Sequence, residues 1–471
     1  MVWMRRGYSR AIVVAGAVLA ASAGSAQAAC SGTSPGATWH QAIEIPGTAA
    51  PVAADVTSVS CASARNCAAG GYYVDRHGHH QPLVAIERAG RWQRATGVPG
   101  MGVLNTGGNG SVTSVSCASP GNCTANGTYT STARNKSGMF VVSEVAGKWR
   151  RALGMPGENP DDLSNDTISC PSPGNCATGG SFHINAGGGR FQAFVVDETN
   201  GRWGTRLRLS GAGLRGAFYA QVNSMSCSSA GNCTASGDAS LSSMDELFAV
   251  NEVAGHWQQA VAIPLASSVT NVADIASMAC ASPGNCAAAG SYEYTVGDVT
   301  NEQPFVVSET GGHWNQAQNV PGLTRPPKGG LGQAESVACA APDTCTVGGV
   351  TPHGHAFVVS ETGGTWGQAV IISGAALGTK ILLITSVSCT SPGDCAAGGY
   401  DYSSSGQGAF VVDETGGTWG QAQHIPGLAA LDTGRAAQVN SMSCPSAGHC
   451  TAVGQYAQNA THYRPFVVSQ S

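Results

Sequence analysis

Short apolar runs are cut at regular intervals by turn-forming residues along most of the chain, and the same order of runs returns about every 50 positions. The stretch from Ser386 to Pro426 shows the unit most clearly. Small and apolar residues alternate over Ser386 to Cys389, a Pro392-Gly393 turn follows, and a second run covers Ala396 to Tyr400. A third, Ala409 to Glu414, carries Phe410-Val411-Val412, and a fourth, Thr418 to Ile425, carries Trp419. Runs this short, bounded by Gly, Pro, Asn and Asp, predict strands. Four strands in a repeat of this length predict a propeller blade, whose small sheet cannot cover both faces alone and has to stack on its neighbours.

The first-strand cysteine recurs at Cys61, Cys117, Cys170, Cys227, Cys280, Cys339, Cys389 and Cys444, and the last-strand tryptophan at Trp39, Trp92, Trp149, Trp203, Trp257, Trp314, Trp366 and Trp419. The two series have equal length but are out of phase. The chain opens on a lone last strand around Trp39 and ends after Phe466-Val467-Val468 with no tryptophan strand. The expected fold is therefore an all-β, eight-bladed β-propeller with four strands per blade, closed when the N-terminal strand completes the last blade. Closure also removes an open sheet edge. Residues 29–471 are expected to form this one domain, because a ring of repeats does not divide.

Sixteen of the 17 cysteines stand in Cys-x5-Cys pairs: Cys61 with Cys67, Cys117 with Cys123, Cys170 with Cys176, Cys227 with Cys233, Cys280 with Cys286, Cys339 with Cys345, Cys389 with Cys395, and Cys444 with Cys450. The intervening residues form turns, so each pair falls across a hairpin, where a disulfide can bridge opposed positions. The rival is a thiolate metal site, which usually has shorter spacings and histidine partners that these turns lack. Cys30 is left over, as a free, intermolecular or lipid-modified thiol. Residues 1–28 read as a secretory signal, with Arg5, Arg6 and Arg10 before the apolar run Ala11 to Ala21 and a small-residue site at Ala26-Gln27-Ala28. Export by either the general or the twin-arginine route fits. The apolar run is too short for a membrane span.

A formal net charge of -5 with 11% charged residues gives no basic patch for nucleic acid. No cofactor fingerprint occurs, and a secreted monomer without cofactor is expected. The alternation of Ser-Val-Ser-Cys-x5-Cys-x-Ala-x-Gly-x-Tyr with Phe-Val-Val-x-Glu-x-x-Gly-x-Trp resembles secreted actinobacterial Cys-x5-Cys repeat propellers. It is more distantly similar to BNR (Asp-box) and photosystem assembly-factor propellers. That resemblance implies the fold. Function does not transfer with so widely used a scaffold.

The first-to-second and third-to-fourth connections barely change between repeats, whereas the other two vary in length and charge. The variable side, with the channel mouth at its centre, is the expected working face. Six positions before the first-strand cysteine stand Asp55, Gln221, Asp274, Gln333 and Gln438; four before it stand Asp166, Asn223, Glu335 and Asn440. Asp55, Asp166, Asp274 and Glu335 are the candidate catalytic carboxylates, since paired acids serve glycoside hydrolysis. The competing role is a solvated rim. Arg215, Arg325 and Arg435 are the ligand-binding candidates, because guanidinium groups suit a carboxylate. The His77, His79, His80 and His353, His355 groups lack a third ligand at fixed spacing, and no metal site is expected. These residues point to an extracellular binding or scaffold protein for a glycan, peptide or cell-envelope partner. The alternative is a polysaccharide-acting glycoside hydrolase of sialidase type, or a lyase.

Overall fold

The computed structural model describes residues 37–471 except 49–51, 133–135, 156–163, 185–188, 242–244, 266–271, 325–328, 375–376, 379–380, 405 and 460. The expected leader, Cys30 and Arg325 lie outside the described residues, as does the side chain of Asp166. Eight antiparallel sheets form a ring. Their innermost strands are Ala53–Ser63, Ser111–Ser119, Ser164–Ser172, Tyr219–Ser229, Val272–Ser282, Gln333–Ala341, Ile381–Ser391 and Gln438–Ser446, which define blades one to eight. Each innermost strand packs against the next, and the eighth packs against the first.

The eighth blade is completed by the N-terminal strand. Ile43 and Glu44 pair with Val467 and Phe466, and Trp39 bridges to Gln470. Ile45 is fully buried there, against Val453 and Val467 on one side and Val56 and Val59 of blade one on the other. All eight Cys-x5-Cys pairs are disulfides across the first hairpin, with Cα atoms 3.9–4.1 Å apart. The two uniform connections lie on one side and bond to each other: Gly90 N–H donates to Arg65 O at 3.0 Å, and Gly147 N–H to Gly121 O at 2.8 Å.

Two details differ from the sequence expectation, and both are β-bulges. In blade seven the innermost strand starts at Ile381 rather than Ser386, and its register slips between Ile384 and Ser386, leaving Thr385 as the extra residue. A Cβ on Gly399 would run into the carbonyl oxygen of Leu383 at this slip, so glycine is required there. The outer strand is not continuous over Thr418 to Ile425. Trp419 pairs with Glu414 but His424 with Phe410, so one further residue is taken up between Trp419 and Gln423.

The Ser-Val-Ser motif stitches the blades together. Ser58 and Ser60 accept the backbone N–H groups of Val115 and Cys117 in blade two at 3.1 and 3.0 Å. Ser441 and Ser443 likewise accept those of Val59 and Cys61, so the same stitch closes the ring. Without the hydroxyl a buried donor loses its acceptor, which costs about 1–3 kcal/mol. Ser441→Ala is therefore expected to lower the unfolding free energy by that amount, seen in urea unfolding as a lower midpoint with an unchanged slope. A loss under roughly 0.5 kcal/mol would contradict the role.

Candidate functional site

The bulge decides what faces the channel mouth on the variable side. In blades one, four, seven and eight the extra residue of the innermost strand is turned toward the next blade, where it reaches a backbone carbonyl. Thr57 Oγ1 donates to Val112 O at 2.9 Å and Thr385 Oγ1 to Val439 O at 2.7 Å. Asn223 Nδ2 donates to Ile275 O at 3.1 Å and Asn440 Nδ2 to Val56 O at 2.8 Å. Asp166 and Glu335 occupy the same offset in blades three and six.

Part of the expected rim converges. Across the seam between blades seven, eight and one, Gln407 Nε2 donates to Gln438 Oε1 at 3.3 Å and Gln438 Nε2 to Asn440 Oδ1 at 2.7 Å. Asn440 Nδ2 then donates to Asp55 Oδ1 at 3.0 Å. Burial pushes the Asp55 carboxyl up to about 6, against the lowering effect of its bonds from the Val56 backbone and Asn440. Burial and the Asp55 charge together push the neighbouring Tyr72 hydroxyl up to about 12. A second arc joins Asp274 to blade six: Ser291 Oγ donates to Asp274 Oδ1 at 3.1 Å and also contacts Glu302, whose Oε1 accepts Gln333 Nε2 at 2.9 Å. In a third, Asn223 Nδ2 lies 2.6 Å from Asp238 Oδ1.

The four candidate acids belong to blades one, three, five and six, and Asp55 and Asp274 stand four blades apart in either direction round the ring. Arg215, at the end of the short turn Ala212–Leu214, and Arg435 are exposed on the approaches to blades four and eight, again on opposite sides. Arg435 takes a left-handed backbone (φ 56°), and its carbonyl accepts Gln407 N–H at 3.0 Å. His77 and His79 sit in a turn held by Asp75, with ring centroids 6.0 Å apart. Among the described residues no group of three or more His, Cys, Asp or Glu is placed to hold a metal.

The sequence reading missed the aromatic and apolar content of this face. Tyr72 stacks on His80 at 4.6 Å, Phe191 contacts His183 and Tyr219, and Tyr400 meets Tyr402 edge-on. Val103, Phe218, Leu331, Ile381 and Tyr402 are exposed on the same side. Their signal was available, since they fall in the variable connections, but single exposed apolar residues carry little weight without knowing their neighbours.

The disulfide side has its own row of buried groups. Glu87, Glu144, Glu198, Glu252, Glu309, Glu361 and Glu414, from the Phe-Val-Val-x-Glu motif, are all buried between blades. Burial raises the carboxyl of every one, and for Glu252 the nearby Asp197 charge adds to it, bringing it to about 7. The tryptophans pack between blades. Trp257 Nε1 donates to Asp197 Oδ2 at 2.8 Å and Trp39 Nε1 to Asp413 Oδ2 at 3.0 Å, each from one blade to the one before it.

No protein-family model matches the chain, and no curated protein matches it. Among solved structures it is similar to Sqt1 from Chaetomium thermophilum bound to the N-terminus of the ribosomal protein L10, at 12% identity and a TM-score of 0.51, covering 91% of this chain and 98% of that one. YCF48 from Cyanidioschyzon merolae matches at 10% identity and a TM-score of 0.41 over 91% and 98% of the two chains. The NanB sialidase from Streptococcus pneumoniae matches at 10% identity and 0.37 over 91% and 93%. At these identities the first likeness speaks for the fold alone.

Proposed function

We propose that the protein is an extracellular binding protein whose variable face, centred on the channel mouth, holds a glycan of its surroundings or cell envelope. The observation that carries this reading is the coincidence, on one face, of cross-bonded carboxylates and amides with half-exposed aromatic rings. Sugars offer hydroxyls to the first and apolar ring faces to the second. Eight disulfides support an oxidising compartment, as the signal-like leader does. Asp55 and Asp274, half the ring apart, do not form an acid pair acting on one bond.

A second reading, hydrolysis of a polysaccharide, draws on Asp55 alone, whose carboxyl at about 6 lies in the range of a general acid. One experiment separates the two. The exported protein is screened against glycans and envelope polysaccharides, and again with Asp55, Asp166, Asp274, Glu335, Arg215, Arg325 and Arg435 changed to alanine. Saturable binding without product, lost in the variant, is the expected result. Turnover abolished by Asp55→Asn would replace binding with catalysis, and binding that survives the variant would move the site elsewhere.

A further inference from the structure

A cavity of about 410 Å³ opens on the disulfide side between blades two and three. Its blade-three wall carries Glu198, Gly201 and Trp203, and its blade-two wall carries Val145, Arg150 and Arg151. Glu198 is only 6% exposed, and its Oε2 is buried with no hydrogen-bond partner. A buried, unpaired carboxyl oxygen is expensive unless something arrives to bond it.

The neighbouring groove offers a precedent for such a partner. Between blades one and two the equivalent carboxyl is Glu144, and there the chain supplies its own cation. Arg88 Nη2 lies 3.6 Å from Glu144 Oε1 and donates to the carbonyl of Gly147. A Cβ on Gly147 would strike that guanidinium. One repeat later, Glu198 and Gly201 stand where Glu144 and Gly147 stand, but Val145 replaces Arg88. A Cβ on Gly201 would meet nothing within 4 Å, so the volume filled by Arg88 in one groove is empty in the next. Trp203, the cross-strand partner of Glu198, offers a ring beside it.

We propose that this groove is a binding site for a ligand carrying both a guanidinium and a carboxylate, as arginine or a carboxy-terminal arginine residue does. The guanidinium takes the place of Arg88, donating to Glu198 and the Gly201 carbonyl with the planar geometry that ammonium lacks. The carboxylate answers Arg150 and Arg151, which would repel a ligand of positive charge alone. This site lies on the opposite side of the ring from the channel mouth, so it stands or falls separately from the glycan reading.

Calorimetric titration of the exported protein with Nα-acetyl-arginine, its amide, the citrulline analogue, and hexapeptides that end or begin with arginine tests it. Nα-acetyl-arginine is expected to bind saturably, the amide at least about fivefold more weakly, and citrulline not measurably. A peptide ending in arginine that binds tighter than Nα-acetyl-arginine would mark a protein partner, and the reverse a free amino acid. Glu198→Gln should weaken binding by about tenfold or more, and Val145→Arg should abolish it by transplanting the Arg88 arrangement into the groove. Unfolding curves of both variants guard against loss of fold, and Val145→Arg, which copies a contact the ring already makes, keeps the test open if Glu198→Gln is unstable. No saturable binding of Nα-acetyl-arginine, or binding that Val145→Arg leaves intact in a folded ring, would overturn the proposal.

Discussion

Deletion of residues 29–47 from the exported chain is expected to produce the largest loss of stability of any change considered. The cut removes the fully buried Ile45 and the buried Trp39 together with its bond to Asp413, and uncovers Phe466 and Val467 along a whole strand edge. Losing those side chains from a packed seam costs roughly 5 kcal/mol or more. The effect is not confined to blade eight, because Ile45 also packs against Val56 and Val59 of blade one. Thermal unfolding followed by circular dichroism should show a strongly lowered or broadened transition. The open edge should also drive association through strand pairing, visible by light scattering. A truncated protein that melts with the intact one would disprove the closure.

The second large effect is a stability that rises on mild acidification. For a carboxyl raised by burial, the folded state holds its proton at pH values where the unfolded chain has released it. Stability is therefore complete below the unfolded value and is lost as pH climbs to the folded one. For Glu252 that window runs from 4.5 to about 7 and corresponds to on the order of 2 kcal/mol. Asp55 adds a window from 3.8 to about 6, and the other buried glutamates act in the same direction. His424, raised by its bond to Asp401, also favours the folded state on the acid side. The melting temperature should thus be higher near pH 5 than near pH 8, and Glu252→Gln should flatten part of that slope. A melting temperature that falls steadily from pH 8 to pH 5 would show that these carboxyls are ionised within the fold.

The architecture was legible because its markers are spaced by the repeat itself. Cysteine and tryptophan counted the blades, and their phase difference located the closing strand. The bulges were not legible, since alternation reveals which residues share a face but not where one strand takes an extra residue. Thr385 reads as an ordinary strand residue until Gly398 and Gly399 are seen opposite it. Glu198 and its counterparts read only as the polar ends of third strands, whereas they are buried between blades. The offsets grouped Asp55, Gln438 and Asn440, which hydrogen bonds join in the closed ring. What they could not supply was the bond from Asn440 to Asp55, because the partners are 385 positions apart and meet only when the ring closes. The serine stitches escaped notice for a similar reason: a small polar residue in a strand gives no sign that its acceptor role lies in the next blade.

On the proposed reading, the charged and amide groups of the channel mouth recognise a glycan. The most direct measurement is calorimetric titration of the best envelope polysaccharide from the screen into the intact protein and into one that carries Asp55→Asn, Asp274→Asn, Glu335→Gln and Arg435→Gln. The three carboxyl-to-amide changes are near-isosteric and keep hydrogen-bonding capacity, and all four changes remove a charge. An affinity lowered by about tenfold or more is predicted, with a melting temperature at pH 7.5 no lower than that of the intact protein, since Asp55→Asn removes a charge that burial disfavours. An affinity equal to that of the intact protein would contradict it.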